Sequence, residues 1–279
     1  MNNVFAFLKL IRFPNLLILV ITQLVTALYF VSRIDNQTIL IVSLATVLIA
    51  AGGYVLNDIE DIGIDLINKP KKISFNISVL KIIYFTLSFL GLVLAFYVSS
   101  KYSPSIFKFF LLAFFLLFFY SKFLSKFKII GNILISFLIA YSIFIMFIFE
   151  SDTSKVNLKY FYQPSIYMFF AFLMNWIREI VKDVEDRLGD EKLGRKSLAI
   201  VFGVGLTKKI VIIQLIFLSF LILIQLVFFK YVLLAPVFFM NFYLIYRIYI
   251  SKNELDFKQI SFLIKTSMAL GILYPIFHF

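Results

Sequence analysis

Residues 57–65 read NDIEDIGID and residues 179–191 read EIVKDVEDRLGDE; together they hold ten of the 15 acidic residues of the chain. Matching the windows pairs Asp58, Asp61 and Asp65 with Asp183, Asp186 and Asp190 at a constant offset of 125. On a helix, a spacing of three then four residues returns to one face, so each window forms a carboxylate stripe while Glu60 and Glu185 point away. A single acidic window is as readily a solvated helix cap. Two with the same spacing beside Lys and Arg weigh against that, because carboxylates near lipid are costly unless cations neutralise them. Mg2+ takes one or two carboxylates and completes its shell with water and phosphate oxygens, so two opposed stripes would seat a diphosphate through two or three ions. A diphosphate held this way is a leaving group, and the four residues expected to act on it are Asp58, Asp61, Asp183 and Asp186. If the attached carbon is allylic, the C–O bond breaks toward a carbocation while cations stabilise the departing oxygen. The aromatic faces of 37 Phe, 15 Tyr and one Trp offer the dry pocket such a cation needs; Trp176, ahead of the second stripe, is a candidate.

These residues are carried by a chain that is 62% hydrophobic and 15% charged, which marks an integral membrane protein with an all-α fold. About nine apolar runs are long enough to span a bilayer: 15–32, 38–56, 79–99, 105–120, 129–149, 163–181, 210–229, 231–250 and 259–277. The acidic windows close the second and sixth runs. Two windows four helices apart suggest one domain over 1–279 built as a pseudo-repeat, the stripes facing each other across a central cavity. The first run follows Lys9 and Arg12 but has no small-residue cleavage site, so it is the first span rather than a signal peptide. The N-terminus and every second loop carry 20 Lys and Arg against six in the alternate loops, which puts the N-terminus and both windows on the cytoplasmic side of the cell membrane and the C-terminus outside. The net charge of +12 therefore belongs to membrane topology, and no nucleic-acid partner is implied. With no cysteine and only His278, thiolate chemistry, haem ligation and Ser-His catalysis are excluded as readings.

The paired N-D-x-x-D-x-x-x-D at 57–65 and D-x-x-D-x-x-x-D at 183–190, in a nine-run membrane chain, resemble the UbiA superfamily of intramembrane prenyltransferases. That resemblance implies nine helices around a cavity, Mg2+ as cofactor, a prenyl diphosphate and a lipid-soluble acceptor as partners, and a lateral opening toward lipid. It assigns Asn57, Asp58, Asp61 and Asp65 to the first metal motif and Asp183, Asp186 and Asp190 to the second. Tyr120, Lys122 and Lys126 fall in the cytoplasmic loop that closes over the diphosphate. The stretches LIRFPNLLI, INKP, YSKFLSKFKIIGN and REIVKDVEDRLGDEKLGRKSL are most similar to the branch that adds a second geranylgeranyl chain to geranylgeranylglyceryl phosphate in ether-lipid synthesis. One departure stands out: NKPKKISFNIS has Lys72 where the family usually has arginine, a point charge in place of a bidentate fork.

Other polar residues have two readings each. Asn15 reaches the acceptor or cavity, or bonds a neighbouring helix. Lys122 and Lys126 grip phosphate or anchor at lipid headgroups; Arg178 and Lys182 bind phosphate or form structural ion pairs. Arg195 and Lys196 are read as surface charges. Gly52 and Gly53 allow close helix packing ahead of the first stripe, and 150–162 is an external loop. Two rivals for the whole chain are prenylation of an aromatic quinone precursor and a carboxylate-lined cation transporter. The latter predicts charges near the midplane and broken helices in both halves.

Overall fold

The structure, a computed structural model, describes residues 2–31, 34–68, 75–149, 158–192, 194–228 and 232–272. Among these every regular element is helical, as expected where hydrocarbon offers the backbone no hydrogen-bond partner other than itself. The helices are α1 (Asn2–Leu10), α2 (Phe13–Phe30), α3 (Asn36–Asn68), α4 (Ile77–Tyr102), α5 (Phe107–Phe119), α6 (Lys128–Phe147), α7 (Leu158–Glu185), α8 (Arg187–Lys192), α9 (Leu198–Val201), α10 (Gly203–Phe228), α11 (Ala235–Ile250) and α12 (Glu254–Ile272). A π turn, Tyr120–Leu124, extends α5.

Among the described residues six helical segments are long and apolar enough to cross a membrane: Phe13–Phe30, Asn36–Ile62, Ile77–Tyr102, Pro104–Leu124, Lys128–Phe147 and Gly203–Phe228. The protein is an integral, polytopic membrane protein. Helix α11 is shorter at 16 residues, and α7 and α12 mix polar side chains such as Asn175, Arg178, Lys258 and Lys265 into their length. Helix α7 also starts at Leu158, inside the segment expected to be loop, and runs past the expected end at 181.

The chain divides into two compact units, Met1–Ser125 with Tyr141–Pro164, and Lys126–Ala140 with Ser165–Phe279. In the first unit, small residues draw helices together. A Cβ on Gly52 would lie 2.5 Å from Ser88 Oγ on α4, and one on Gly53 would lie 3.0 Å from Leu117 Cδ2 on α5, the close packing anticipated for this pair. Gln23 of α2 donates from Nε2 to Thr46 Oγ1 at 3.1 Å and to the Ser142 carbonyl at 3.0 Å, polar ties between helices with no water to compete. On its other side α4 exposes Phe85, Phe89 and Phe96, a face suited to lipid.

The second unit packs Met174, Ile177 and Ile180 of α7 against Val211, Leu215 and Leu218 of α10, Leu244 of α11 and Ile260 of α12. Trp176 packs against this core, its ring 5.7 Å from that of Phe172. Helix ends are satisfied locally: Asp256 Oδ2 accepts from the backbone N–H of Lys252 and Asn253 ahead of α12, and Lys208 Nζ donates to the Tyr249 and Ser251 carbonyls where α11 stops.

Candidate active site

The first aspartate motif sits on an unbroken helix. Because α3 runs through to Asn68, Asn57, Asp58 and Asp61 keep the helical spacing that the sequence requires. Asn57 Nδ2 donates to Asp61 Oδ2 at 3.2 Å, one turn on. That leaves Asn57 Oδ1 buried without a hydrogen-bond partner among the described residues. Asp58 is half-buried, and Arg12 donates to its Oδ1 from Nη2 at 3.4 Å. The Arg12 guanidinium also lies over the Tyr54 ring, 4.7 Å from its centre. Its backbone is left-handed, at φ 52°, an unusual state for a residue with a Cβ. This residue lies between α1 and α2 as the cap of α2, whose first turn holds Pro14.

Of the other residues expected in this unit, Lys122 on the π turn pairs with Glu60 Oε1 at 2.8 Å. Tyr120 and Asn15 are half-buried, and the Asn15 backbone N–H donates to the Arg12 carbonyl at 2.8 Å. Lys72 and the side chain of Asp65 lie outside the described residues.

The second motif has a different construction. Helix α7 ends at Glu185 and α8 begins at Arg187, so the chain turns at Asp186 and its stripe is not one continuous helix. Asp183 and Asp190 are buried, at 3% and 4% exposure, while Asp186 is exposed. Asp183 Oδ2 accepts from Asn132 Nδ2 at 2.6 Å, and its Oδ1 is 3.2 Å from Lys128 Nζ. The same Lys128 Nζ lies 3.6 Å from Asp190 Oδ2, which has no hydrogen-bond partner among the described residues. Asp190 Oδ1 accepts from Arg195 Nη1 at 3.4 Å. Gly194, at φ 65°, makes the turn that brings Arg195 back, and Arg195 N–H donates to the Asp190 carbonyl at 3.0 Å.

Behind the carboxylate, Asn175 Nδ2 donates to Ser136 Oγ at 3.1 Å, and Ser136 Oγ donates to the Asn132 carbonyl at 2.6 Å. These bonds fix α6 against α7 and hold Asn132 in place. Arg178 pairs with its neighbour Glu179. Lys182 is half-buried, and Lys126 and Lys196 are exposed. Arg195 departs from its expected place on the surface, because Gly194 folds it inward onto Asp190.

Four residues that the spacing argument did not single out thus surround the aspartates: Arg12, Lys128, Asn132 and Arg195. Arg12 stands immediately before an apolar run, and Lys128 is the third lysine of SKFLSKFK. Those are weak signals, because basic residues flank most spans.

Among the described residues no three Asp, Glu or His side chains are gathered as a preformed metal cage. The donors are nonetheless hard oxygens, and two of them, Asn57 Oδ1 and Asp190 Oδ2, are buried without hydrogen bonds. The donors of each unit, taken by themselves, fit Mg2+, which needs only one or two protein carboxylates when water and phosphate oxygens complete its shell.

The model of the UbiA prenyltransferase family matches residues 16–268. A digeranylgeranylglyceryl phosphate synthase from Sulfolobus acidocaldarius is 32% identical over 236 residues, 78% of either chain. A solved structure concerned with digeranylgeranylglyceryl phosphate synthase in membranes is 26% identical and superposes with a TM-score of 0.73, covering 99% of this chain and 98% of that one. A UbiA homolog from Archaeoglobus fulgidus, solved with GPP and Mg2+, is 15% identical and shares the fold at a TM-score of 0.60, covering 97% of this chain and 99% of that one. The chain belongs to the UbiA prenyltransferase family and is a membrane-embedded prenyltransferase.

Proposed function

We propose that this enzyme transfers a geranylgeranyl group from its diphosphate to the free hydroxyl of geranylgeranylglyceryl phosphate, in an Mg2+-dependent step of ether-lipid synthesis. The observation that carries the reading is the pair of aspartate motifs, each backed by a basic side chain, in a chain 32% identical to a synthase of that name. Asn57, Asp58, Asp61, Asp183 and Asp190 are the residues that would hold the metal, joined by Asp65 and Asp186. Bound there, Mg2+ supplies positive charge to the leaving diphosphate.

The chain's own residues do the rest. The allylic C–O bond breaks and its electron pair leaves with the diphosphate. The acceptor hydroxyl then contributes a lone pair to the new ether bond and loses its proton to an oxygen of the departed diphosphate. An allylic cation is electrophilic enough to need no strong base, so a chain without an internal histidine suffices. Basic side chains from Lys72, Lys122, Lys126, Arg178 and Lys182, with the Tyr120 hydroxyl, are the candidates for steadying the diphosphate oxygens; Asn15 is the candidate on the acceptor side. The Lys and Arg asymmetry supports a cytoplasmic N-terminus and cytoplasmic aspartates, with the C-terminus outside. The constant offset of 125 supports a single domain built as a pseudo-repeat.

The test is an acceptor screen with purified protein and labelled geranylgeranyl diphosphate, with and without a chelator. Ether product with geranylgeranylglyceryl phosphate, lost on chelation, is the expected outcome. Product only with an aromatic quinone precursor would reassign the acceptor, and no diphosphate release with any acceptor would sink the reading.

A further inference from the structure

We propose that Lys128 is a positioning residue whose ammonium competes with the divalent ion for Asp183 and Asp190, and passes to the diphosphate when metal and substrate bind. The inference rests on the reading of 183–190 as a metal motif. Lys128 Nζ is 3.2 Å from Asp183 Oδ1 and 3.6 Å from Asp190 Oδ2, so one cation spans two carboxylates that stand seven residues apart. All three side chains are shielded, at 20%, 4% and 5% exposure.

Asp190 keeps Arg195 at 3.4 Å from its Oδ1, but Asp183, held otherwise by the neutral Asn132, cannot be left uncompensated when Lys128 leaves, since an unpaired buried charge costs several kcal/mol by the usual measure of broken buried pairs. A divalent ion on the same oxygens would repel the ammonium across a few ångströms. The two cations are therefore alternatives or near-alternatives for these oxygens. The displaced ammonium sits on a four-carbon stem with three donors and can swing as a point charge. The nearest new anion in the proposed reaction is the diphosphate. Asn132 stays with Asp183 throughout: its backbone carbonyl accepts from Ser136 Oγ, which itself accepts from Asn175 Nδ2, and its side-chain amide keeps Asp183 Oδ2 oriented while the other oxygen exchanges cations.

The test uses the full-length protein in detergent, without substrate, titrated with MgCl2 and followed by thermal unfolding and by fluorescence of the sole tryptophan, Trp176, which lies on the same helix as Asp183. Lys128→Gln is expected to melt lower than wild type in chelator, to bind Mg2+ about tenfold more tightly, and to show a larger rise in melting temperature on adding Mg2+. Lys128→Arg, which keeps the charge, is expected to restore the melting temperature in chelator and the weaker Mg2+ response. The KM for prenyl diphosphate is expected to rise in Lys128→Gln. If Lys128→Gln is too unstable to purify in chelator, recovery of folded protein by Mg2+ in the purification buffer supports the proposal, and failure of Mg2+ to recover it overturns the proposal. A wild type that responds to MgCl2, with Lys128→Gln responding equally or more weakly, overturns the role of Lys128 alone. A wild type with no response to MgCl2 in either readout, with inorganic diphosphate present to complete the shell of the ion as well as without it, removes the metal reading beneath it.

Discussion

The two aspartate motifs share a spacing but not a setting. Asp58 and Asp61 ride on the unbroken α3, half-buried, with Arg12 at 3.4 Å from Asp58 as a long ion pair. Asp183 and Asp190 flank a break in the helix, are almost fully buried, and are wired to Lys128, Asn132 and Arg195. Solvation makes the difference. A half-exposed carboxylate keeps much of its water and is free to change partners, and exposed pairs contribute about 1 kcal/mol at most. A buried one has lost its water and must be held by fixed donors. The first motif is therefore placed by helix packing, whereas the second is placed by a polar network that is part of the fold.

That contrast is broken most directly by removing one carboxylate from each motif. Asp58→Ala and Asp183→Ala are both expected to lower prenyl transfer by about 100-fold or more, the usual loss when a group that stabilises transition-state charge is deleted. Their stabilities are expected to part: Asp58→Ala should melt near wild type, while Asp183→Ala, which leaves Lys128 and Asn132 without their main partner, should lose about 3 kcal/mol. Equal melting temperatures for the two variants would erase the distinction. A smaller effect is expected from the packing side. A Cβ on Gly91 of α4 would lie 2.8 Å from Ile49 Cγ1 and 3.1 Å from the Ala45 carbonyl oxygen, and backbone atoms of α3 cannot move aside cheaply. Gly91→Ala is therefore expected to cost about 1–3 kcal/mol. It should also lower kcat through α3, with Mg2+ binding to the second motif unchanged in a metal titration.

The sequence made the membrane helices and the first motif legible for a physical reason. A span is a one-dimensional signal, a run of apolar residues, and a stripe on one helix follows from its period. Both kinds of pattern survive in α3, where Asp58 and Asp61 keep their helical spacing and Gly52 approaches Ser88. The second motif was half legible. Its spacing named Asp183 and Asp190, but spacing assumes a continuous helix and could not foresee the turn at Asp186. Lys128 and Asn132 come from α6, 51 residues or more from Asp183 in sequence, and only folding brings them near. Arg195 looked like surface charge because the inward turn depends on the positive φ of Gly194, a backbone state that the single letter G permits without announcing.

Arg12 offers a finer cut at the first motif. Its left-handed backbone costs about 1 kcal/mol for a residue with a Cβ and nothing for glycine, while its ion pair and its contact with Tyr54 each return a similar amount. Arg12→Gly, which loses both contacts but sheds the strain, should thus melt lower than wild type by about 1 kcal/mol in unfolding free energy, and Arg12→Ala, which keeps the strain and loses both contacts, by about 2 kcal/mol. Both should lose activity by a similar factor, about tenfold, if Arg12 orients Asp58. A loss confined to Arg12→Ala would assign the residue to folding only.

Asp35 is the control for both motifs, a carboxylate with a lysine and hydroxyl partners at the start of α3, the other end of that helix from the first motif. It caps α3, accepting from the Thr38 N–H at 2.8 Å, and pairs with Lys101 at 2.9 Å with about half of each side chain exposed. The Lys101 ammonium, with the Thr38 N–H next, holds the Asp35 carboxyl well below the ordinary aspartate range. A folded-state pKa lowered in this way means a stabilisation that is complete above the unfolded value, about 4, and fades as pH falls through that value toward the folded one. Asp35→Asn should therefore melt slightly below wild type at neutral pH, the gap should close as the pH is taken below about 4, and prenyl transfer at pH 7 should be unchanged. A gap that widened in acid would have the wrong sign for a depressed carboxylate. A loss of activity at neutral pH would mean that charge at the motifs is no better a guide to chemistry than charge at a cap.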